Sequence, residues 1–336
     1  PGLPGSALTA PQSVAVVPEP AYPEIAGPSP QTAAGHVAFR FYSHNVKNGL
    51  HDDLVPGEMP WDMRKRLVIN SIKFNAVANS VVFLQEPLKF QLDDILADLN
   101  YLSAPGTPEW VAVGSGRVDG KDVGEHVPIL FRPAEWTVVF NDTFWLNDGA
   151  TRMAVAGWDA KYPRIATYAT LKHALSGHHI NVANTHFDHK GKTARRESAL
   201  LLVAKLRSLN LWPLFVMGDL NSQPGDASHR EMTKAFVDVH DHVPDFSRYG
   251  HLDYTVTGFS GKYLKDAKRI DYIFAPKDTR RLSEPMCADP ALPYSLQVVG
   301  YGLLHSKFGG VYMSDHRPVV ADFVMKGCDL GQATDA

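Results

Sequence analysis

From Val37 to Val324 one pattern recurs: an apolar run of strand length that meets an acid, an amide or a histidine at its edge. VAFRFYSHNV carries Asn45, VVFLQE carries Gln85 and Glu86, HINVANTHFDH carries His186 and Asp188, and PLFVMGDLN carries Asp219 and Asn221. RIDYIF and SDHRPVV add Asp271, Asp315 and His316 in the same way. Charge beside a core strand is costly unless it is paired or used. Loops at one edge of packed sheets form a rim where distant side chains converge. Six such tips therefore predict one shared site.

Between these runs the periodicity changes to that of amphipathic helices, over 61–79, 88–102 and 192–209. Many strands and few helices imply two sheets packed together and covered by helices. No fixed-period repeat is present, so a single catalytic domain is expected over 36–330, with a tail at 331–336. Residues 1–35 differ: Pro11, Pro18, Pro20, Pro23, Pro28 and Pro30 forbid helix and discourage strand pairing, which predicts an extended arm.

With 336 residues, 44% of them hydrophobic, the chain can bury a large core. Its formal charge of -3 gives no global basic field for clamping a duplex, so any polyanion is gripped locally. Lys190, Lys192, Arg195 and Arg196 form the best basic cluster, equally readable as solvated turns of a helix. No apolar run is long enough to span a bilayer. Two cysteines, Cys287 and Cys328, suit one disulfide or two free buried thiols, and Asn141-Asp142-Thr143 is an N-glycosylation sequon; the disulfide and the sequon together predict a secreted glycoprotein, and a monomer is expected.

The chemistry that wants this inventory is metal-assisted attack of water on a phosphate ester. A hard cation such as Mg²⁺ takes oxygen ligands, which suits Glu86, Asp315 and Asn45. His186 and His316, each leaning on a carboxylate, can move protons near neutral pH. Asn221 and a nearby Arg can hold phosphoryl oxygens. Singly, each residue also reads as a turn former or a solvated charge; only their joint order argues for chemistry.

Taken in order, Asn45, Gln85-Glu86, GEHVPILFRP at 124–133, PRIATYA at 163–169, NTHFDH at 184–189, GDLN at 218–221, RIDYIF at 269–274 and SDHRPV at 314–319 resemble the endonuclease/exonuclease/phosphatase superfamily. The resemblance implies a DNase I-like four-layered α/β sandwich, with two mixed, mostly antiparallel β-sheets packed face to face and flanked by helices. It implies Glu86, Asn45 and Asp315 at a Mg²⁺ or Mn²⁺ site, with Ca²⁺ as a further structural ion. It implies Glu125 orienting His186, Asp271 paired with His316, and Asp219 beside the attacking water. Arg164 and Asn221 would bind the phosphate. Met217 and Ser222 stand where inositol 5-phosphatases carry Trp and Arg, which demotes phosphoinositides.

The leading expectation is a DNase-like nuclease acting on DNA, with Phe144, Trp145 and Trp158 either stacking on bases at the rim or lying in the core. The alternatives are a phosphodiesterase or phosphatase on a small or lipid-derived ester, sphingomyelinase-like, and an inactive binding protein of the same fold. A membrane-acting enzyme needs an exposed apolar element, and the only candidate, 292–304, reads as buried.

Overall fold

The computed structural model describes residues 35–50, 54–148, 154–251, 254–259, 268–289 and 291–328. The Pro-rich arm up to residue 34 and the tail at 331–336 lie outside the described residues.

The first half runs β1 (His36–Asn45), α1 (Trp61–Asn75), β2 (Val81–Gln85), α2 (Lys89–Leu99), β3 (Val111–Val113), β4 (Ile129–Phe131), β5 (Trp136–Trp145), β6 (Ile165–His173) and β7 (His179–His186). The second runs α3 (Lys192–Arg207), β8 (Leu214–Asp219), α4 (Ala227–Ala235), β9 (Phe236–Asp238), α5 (Val239–His242), β10 (Arg248–Gly250), β11 (Asp271–Pro276), β12 (Tyr294–Leu303), β13 (Lys307–Phe308), β14 (Val311–Tyr312) and β15 (Val319–Gly327).

Two large sheets result, in the orders β10-β12-β15-β1-β2-β4-β3 and β5-β6-β7-β8-β11-β9. Parallel pairing occurs between β1 and β2, β7 and β8, and β10 and β12; the other neighbours in these sheets are antiparallel. The strand period of two decides what each face buries. Phe39 and Phe41 of β1 and Phe215 and Met217 of β8 point between the sheets, where Phe41 and Phe215 meet edge-to-face at 4.9 Å. Their neighbours point outward: Tyr42 packs under α1 and α2, and Val216 under α3 and α4. Helix, sheet, sheet and helix thus form the four-layered α/β sandwich that the sequence implied.

The stretch 292–304 contains β12, with Tyr294, Leu296, Val298, Tyr301 and Leu303 in the central core. Phe144 is also core rather than rim, packed against Tyr168. Trp145 is spent locally, since its indole N–H donates to the Arg117 carbonyl at 2.7 Å. Cys287 and Cys328 are joined as a disulfide. No helix among the described residues is long and apolar enough to cross a membrane.

Candidate active site

Register brings the polar tips together. The parallel pairs place Asn45 opposite Gln85 and His186 opposite Asp219, while the antiparallel β8–β11 pair sets Asp271 opposite Asp219. The two sheets are braced just beneath this edge: Gln85 Nε2 donates to Asn184 Oδ1 at 2.7 Å, and Asn184 Nδ2 donates to Leu84 and Pro128 carbonyls. Gly218 permits the tight approach, because a Cβ there would lie 2.1 Å from the Thr185 carbonyl oxygen.

Glu86 sits in the left-handed region, φ 70°, a conformation that costs a non-glycine residue and marks a constrained site. Its carboxylate accepts from Asn45 Nδ2 at 2.9 Å and from the Asn48 backbone N–H at 3.1 Å. Burial alone would raise its pKa; the Lys47 charge and these hydrogen bonds outweigh that and hold it below the usual value. Asn45 Nδ2 also reaches Asp219 Oδ2 at 3.0 Å. Asp315 is pushed upward, first by burial and then, against the pull of His316, by the charge of Glu86.

His316 and Asp271 form the expected dyad, Nδ1 to Oδ2 at 2.8 Å. Burial opposes protonation there, but the charge and hydrogen bond of Asp271, with Asp315 and Asp219, lift the imidazole well above its ordinary pKa. Asp219 lies 3.8 Å from His316 Nε2 and 3.6 Å from His186 Nε2. Burial and the neighbouring Asp271 push it up to about 7.

The second expected dyad does not form. Glu125 Oε2 is 3.8 Å from His186 Nδ1, because the Arg164 guanidinium occupies that position, with Nη1 3.0 Å from the ring nitrogen. Glu125 instead pairs with Arg117 and accepts from Asn48 Nδ2 at 3.2 Å. Arg164 is correspondingly buried, held by Asp188 and His189 as well, and does not offer a free fork to a phosphate. His186 stands between two groups that can only donate, the Arg164 guanidinium at Nδ1 and the Asn221 amide at Nε2. Burial and the charges of Arg164 and Arg117 keep this ring neutral, with its pKa well below the ordinary value. Asn221 Nδ2, 3.0 Å from that Nε2 and 2.9 Å from the Phe187 carbonyl, lies beside it.

The Asn45 amide ties Glu86 to Asp219 through Nδ2, while its Oδ1 accepts from Lys47 N–H at 3.0 Å. Lys47, Asn48 and Arg117 were not singled out in the sequence. The Asn48-Gly49 turn signal was there to read; for Arg117, carried on the short hairpin where Gly116 bridges His126, nothing local was.

Whether the residues suit a divalent cation is decided by the donors. Among the described residues, two groups bring ligand atoms within 4.8 Å of one another, Asp219 with Asp271 and His316, and His229 with Asp238 and Asp241; in the first, His316 Nδ1 is engaged by Asp271, and in the second Asp238 and Asp241 are paired with Arg269. Glu86 and Asp315 offer an oxygen-only pair of carboxylates close enough to feel one another, the donor set that Mg²⁺ and Mn²⁺ prefer. Asp271 Oδ1 is buried without a hydrogen-bond partner. The site fits the ion.

Comparison with known proteins agrees with this geometry. The pattern of the Endonuclease/Exonuclease/phosphatase family matches residues 43–316, and the chain belongs to that family. Members hydrolyse phosphoester bonds. A family protein from Bacteroides vulgatus is 29% identical, with TM-score 0.71, over 85% of this chain and 98% of that one. A mannosyl-6-phosphatase from Bacteroides thetaiotaomicron is 26% identical, with TM-score 0.69, over 85% of this chain and 99% of that one. TDP2 from D. rerio, in complex with single strand DNA product, shares the fold at 16% identity and TM-score 0.57, covering 85% of this chain and 98% of that one. No match is found among curated proteins.

Proposed function

We propose that this protein is a Mg²⁺- or Mn²⁺-dependent hydrolase of small phosphate esters, a sugar phosphate being the favoured class. The observation that carries the reading is the convergence of Glu86, His186, Asp219, Asn221 and His316–Asp271 at one sheet edge. Glu86 and Asp315 would hold the ion, with Asn45 steering Glu86 toward it. Bound there, the ion neutralises charge on the phosphoryl group and activates water.

The chain's own groups do the rest. Asp219, central between the two imidazoles, accepts the proton of the attacking water. His316, kept charged by Asp271, donates its Nε2 proton to the ester oxygen as water's oxygen bonds to phosphorus and the ester P–O bond breaks, so that the alcohol leaves neutral. Asn221 Nδ2, beside His186, holds a second oxygen. Arg164, pinned by Asp188, holds the His186 ring in place.

Small substrates are favoured over the DNA first expected for two reasons. The mannosyl-6-phosphatase matches at 26% identity, whereas the DNA-bound relative, at 16%, supports the fold alone. The basic cluster is also largely spent: Arg195 donates to the Asp188 carbonyl and Arg196 pairs with Glu197 and Glu231. Exposed Lys190 and Lys192 keep a DNase-like phosphodiesterase as the second reading. The disulfide and the exposure of Asn141 support the proposal of a secreted glycoprotein.

A panel of mannose 6-phosphate, glucose 6-phosphate, sphingomyelin, duplex DNA and single-stranded DNA tests this. Turnover of a sugar phosphate, abolished by chelator and restored by Mg²⁺ or Mn²⁺, is expected. Cleavage of DNA alone would replace the reading with its alternative, and full activity in excess chelator would remove the metal.

A further inference from the structure

We infer that Arg64, on the core-facing side of α1, is a positioning residue that sets the two halves of the metal-binding rim against each other. The inference rests on the metal site proposed above. Arg64 shares a buried helix face with Trp61, Val68, Ile69 and Ile72, where an apolar side chain would ordinarily stand. It is fully buried, and its donors are spent on backbone carbonyls. Nε donates to Met59 O at 2.9 Å, Nη1 to Val46 O at 2.9 Å and Met313 O at 2.7 Å, and Nη2 to Lys47 O at 3.3 Å.

Where those carbonyls lie in the chain is what matters. Val46 and Lys47 follow Asn45 and lead to the Asn48 amide that binds Glu86; Met313 leads into Ser314, Asp315 and His316. One guanidinium therefore joins the loop that holds one expected metal ligand to the loop that holds the other. Ser314 Oγ, donating to Asn45 O at 2.6 Å, crosses the same joint. The charge is placed to match: Glu58 lies 3.7 Å away, and Glu86 and Asp315 both act on the cation. The Trp61 and Phe259 rings, each 5.6 Å from it, close the guanidinium in. A buried ion is weak evidence for stability, since well-packed apolar residues often serve as well. A planar fork reaching three separated segments is a geometric device that a lysine cannot copy.

The test measures Mn²⁺ binding by electron paramagnetic resonance without substrate, together with kcat and KM. Arg64→Lys should weaken Mn²⁺ binding by about 10- to 100-fold, the range for residues that orient metal ligands. It should lower kcat with little change in KM. Arg40→Met, which breaks the Arg40–Asp322 pair on the same sheet, should leave Mn²⁺ affinity unchanged. A folded Arg64→Lys protein with wild-type Mn²⁺ affinity overturns the inference. Wild-type protein that binds no Mn²⁺ overturns the metal reading and the inference with it. Should Arg64→Lys not fold, hydrogen exchange on the wild type decides: amides of Val46 and Met313 are expected to open as one unit, and independent opening refutes the coupling.

Discussion

Replacing Asp271 by Asn leaves the shape of the dyad almost untouched and removes only its charge. In the native site the carboxylate lies 2.8 Å from His316 Nδ1, and both side chains are buried. Opposite unit charges about 4 Å apart attract by about 4 kcal/mol at an effective dielectric of 20. At about 1.4 kcal/mol per factor of ten, the whole of that attraction would correspond to a ~1,000-fold loss of the charged imidazole's contribution. The amide keeps a hydrogen bond to Nδ1, worth about 1 kcal/mol. The expected fall in kcat is therefore on the order of 10²- to 10³-fold, with KM changed far less. The assay is steady-state hydrolysis of p-nitrophenyl phosphate at saturating Mg²⁺, run beside His316→Ala as the reference for complete loss. If Asp271→Asn keeps kcat within fivefold of wild type while His316→Ala is inactive, the charge on His316 is not what the dyad supplies.

Two further expectations concern stability. The Cys287–Cys328 bridge closes a sequence separation of 41 residues, so Cys287→Ser with Cys328→Ser should cost about 3–4 kcal/mol on the loop-entropy estimate, read as a lower denaturant midpoint at unchanged slope. An unchanged midpoint would mean that the bridge constrains nothing. His173 and His178 are buried, and burial lowers the pKa of each. Below an unfolded value of about 6.5 the unfolded chain binds more protons than the native one, so stability must fall as pH drops from 7 to 5, by at most about 1.4 kcal/mol per pH unit for each ring. Calorimetry of the His173→Gln, His178→Gln protein should show a flatter pH dependence of Tm; a profile that overlays wild type would refute the assignment.

The sheets were legible because their signals are local. Phe39 and Phe41 facing one way and Tyr42 the other, or Phe215 and Met217 against Val216, are read directly from alternation. Short elements were not: β3, β9 and β10, of three residues each, carry too few positions for any period, and α4 lies in ASHREMTKA, where polar residues hide the buried Met232. In the site, the His316–Asp271 pair was what the family resemblance implied, and the two side chains meet at 2.8 Å. The Glu125–His186 pair failed because it turns on a third residue: Arg164 reaches the imidazole first, and no spacing in the sequence reports which of two partners wins a contact. Arg64 left a faint trace, a charge at a core-facing helical position, visible only once the buried face of α1 is known.

The central claim is that Glu86 and Asp315 hold one divalent ion at the edge where Asp219, His186 and His316 meet. Anomalous diffraction from crystals soaked in Mn²⁺ locates that ion without reference to activity. A single strong peak is expected about 2.2 Å from a Glu86 carboxylate oxygen and absent in Glu86→Gln crystals, as a hard cation on carboxylate oxygen requires. A peak held instead by Asp219, Asp271 and His316, unchanged by Glu86→Gln, would contradict the account.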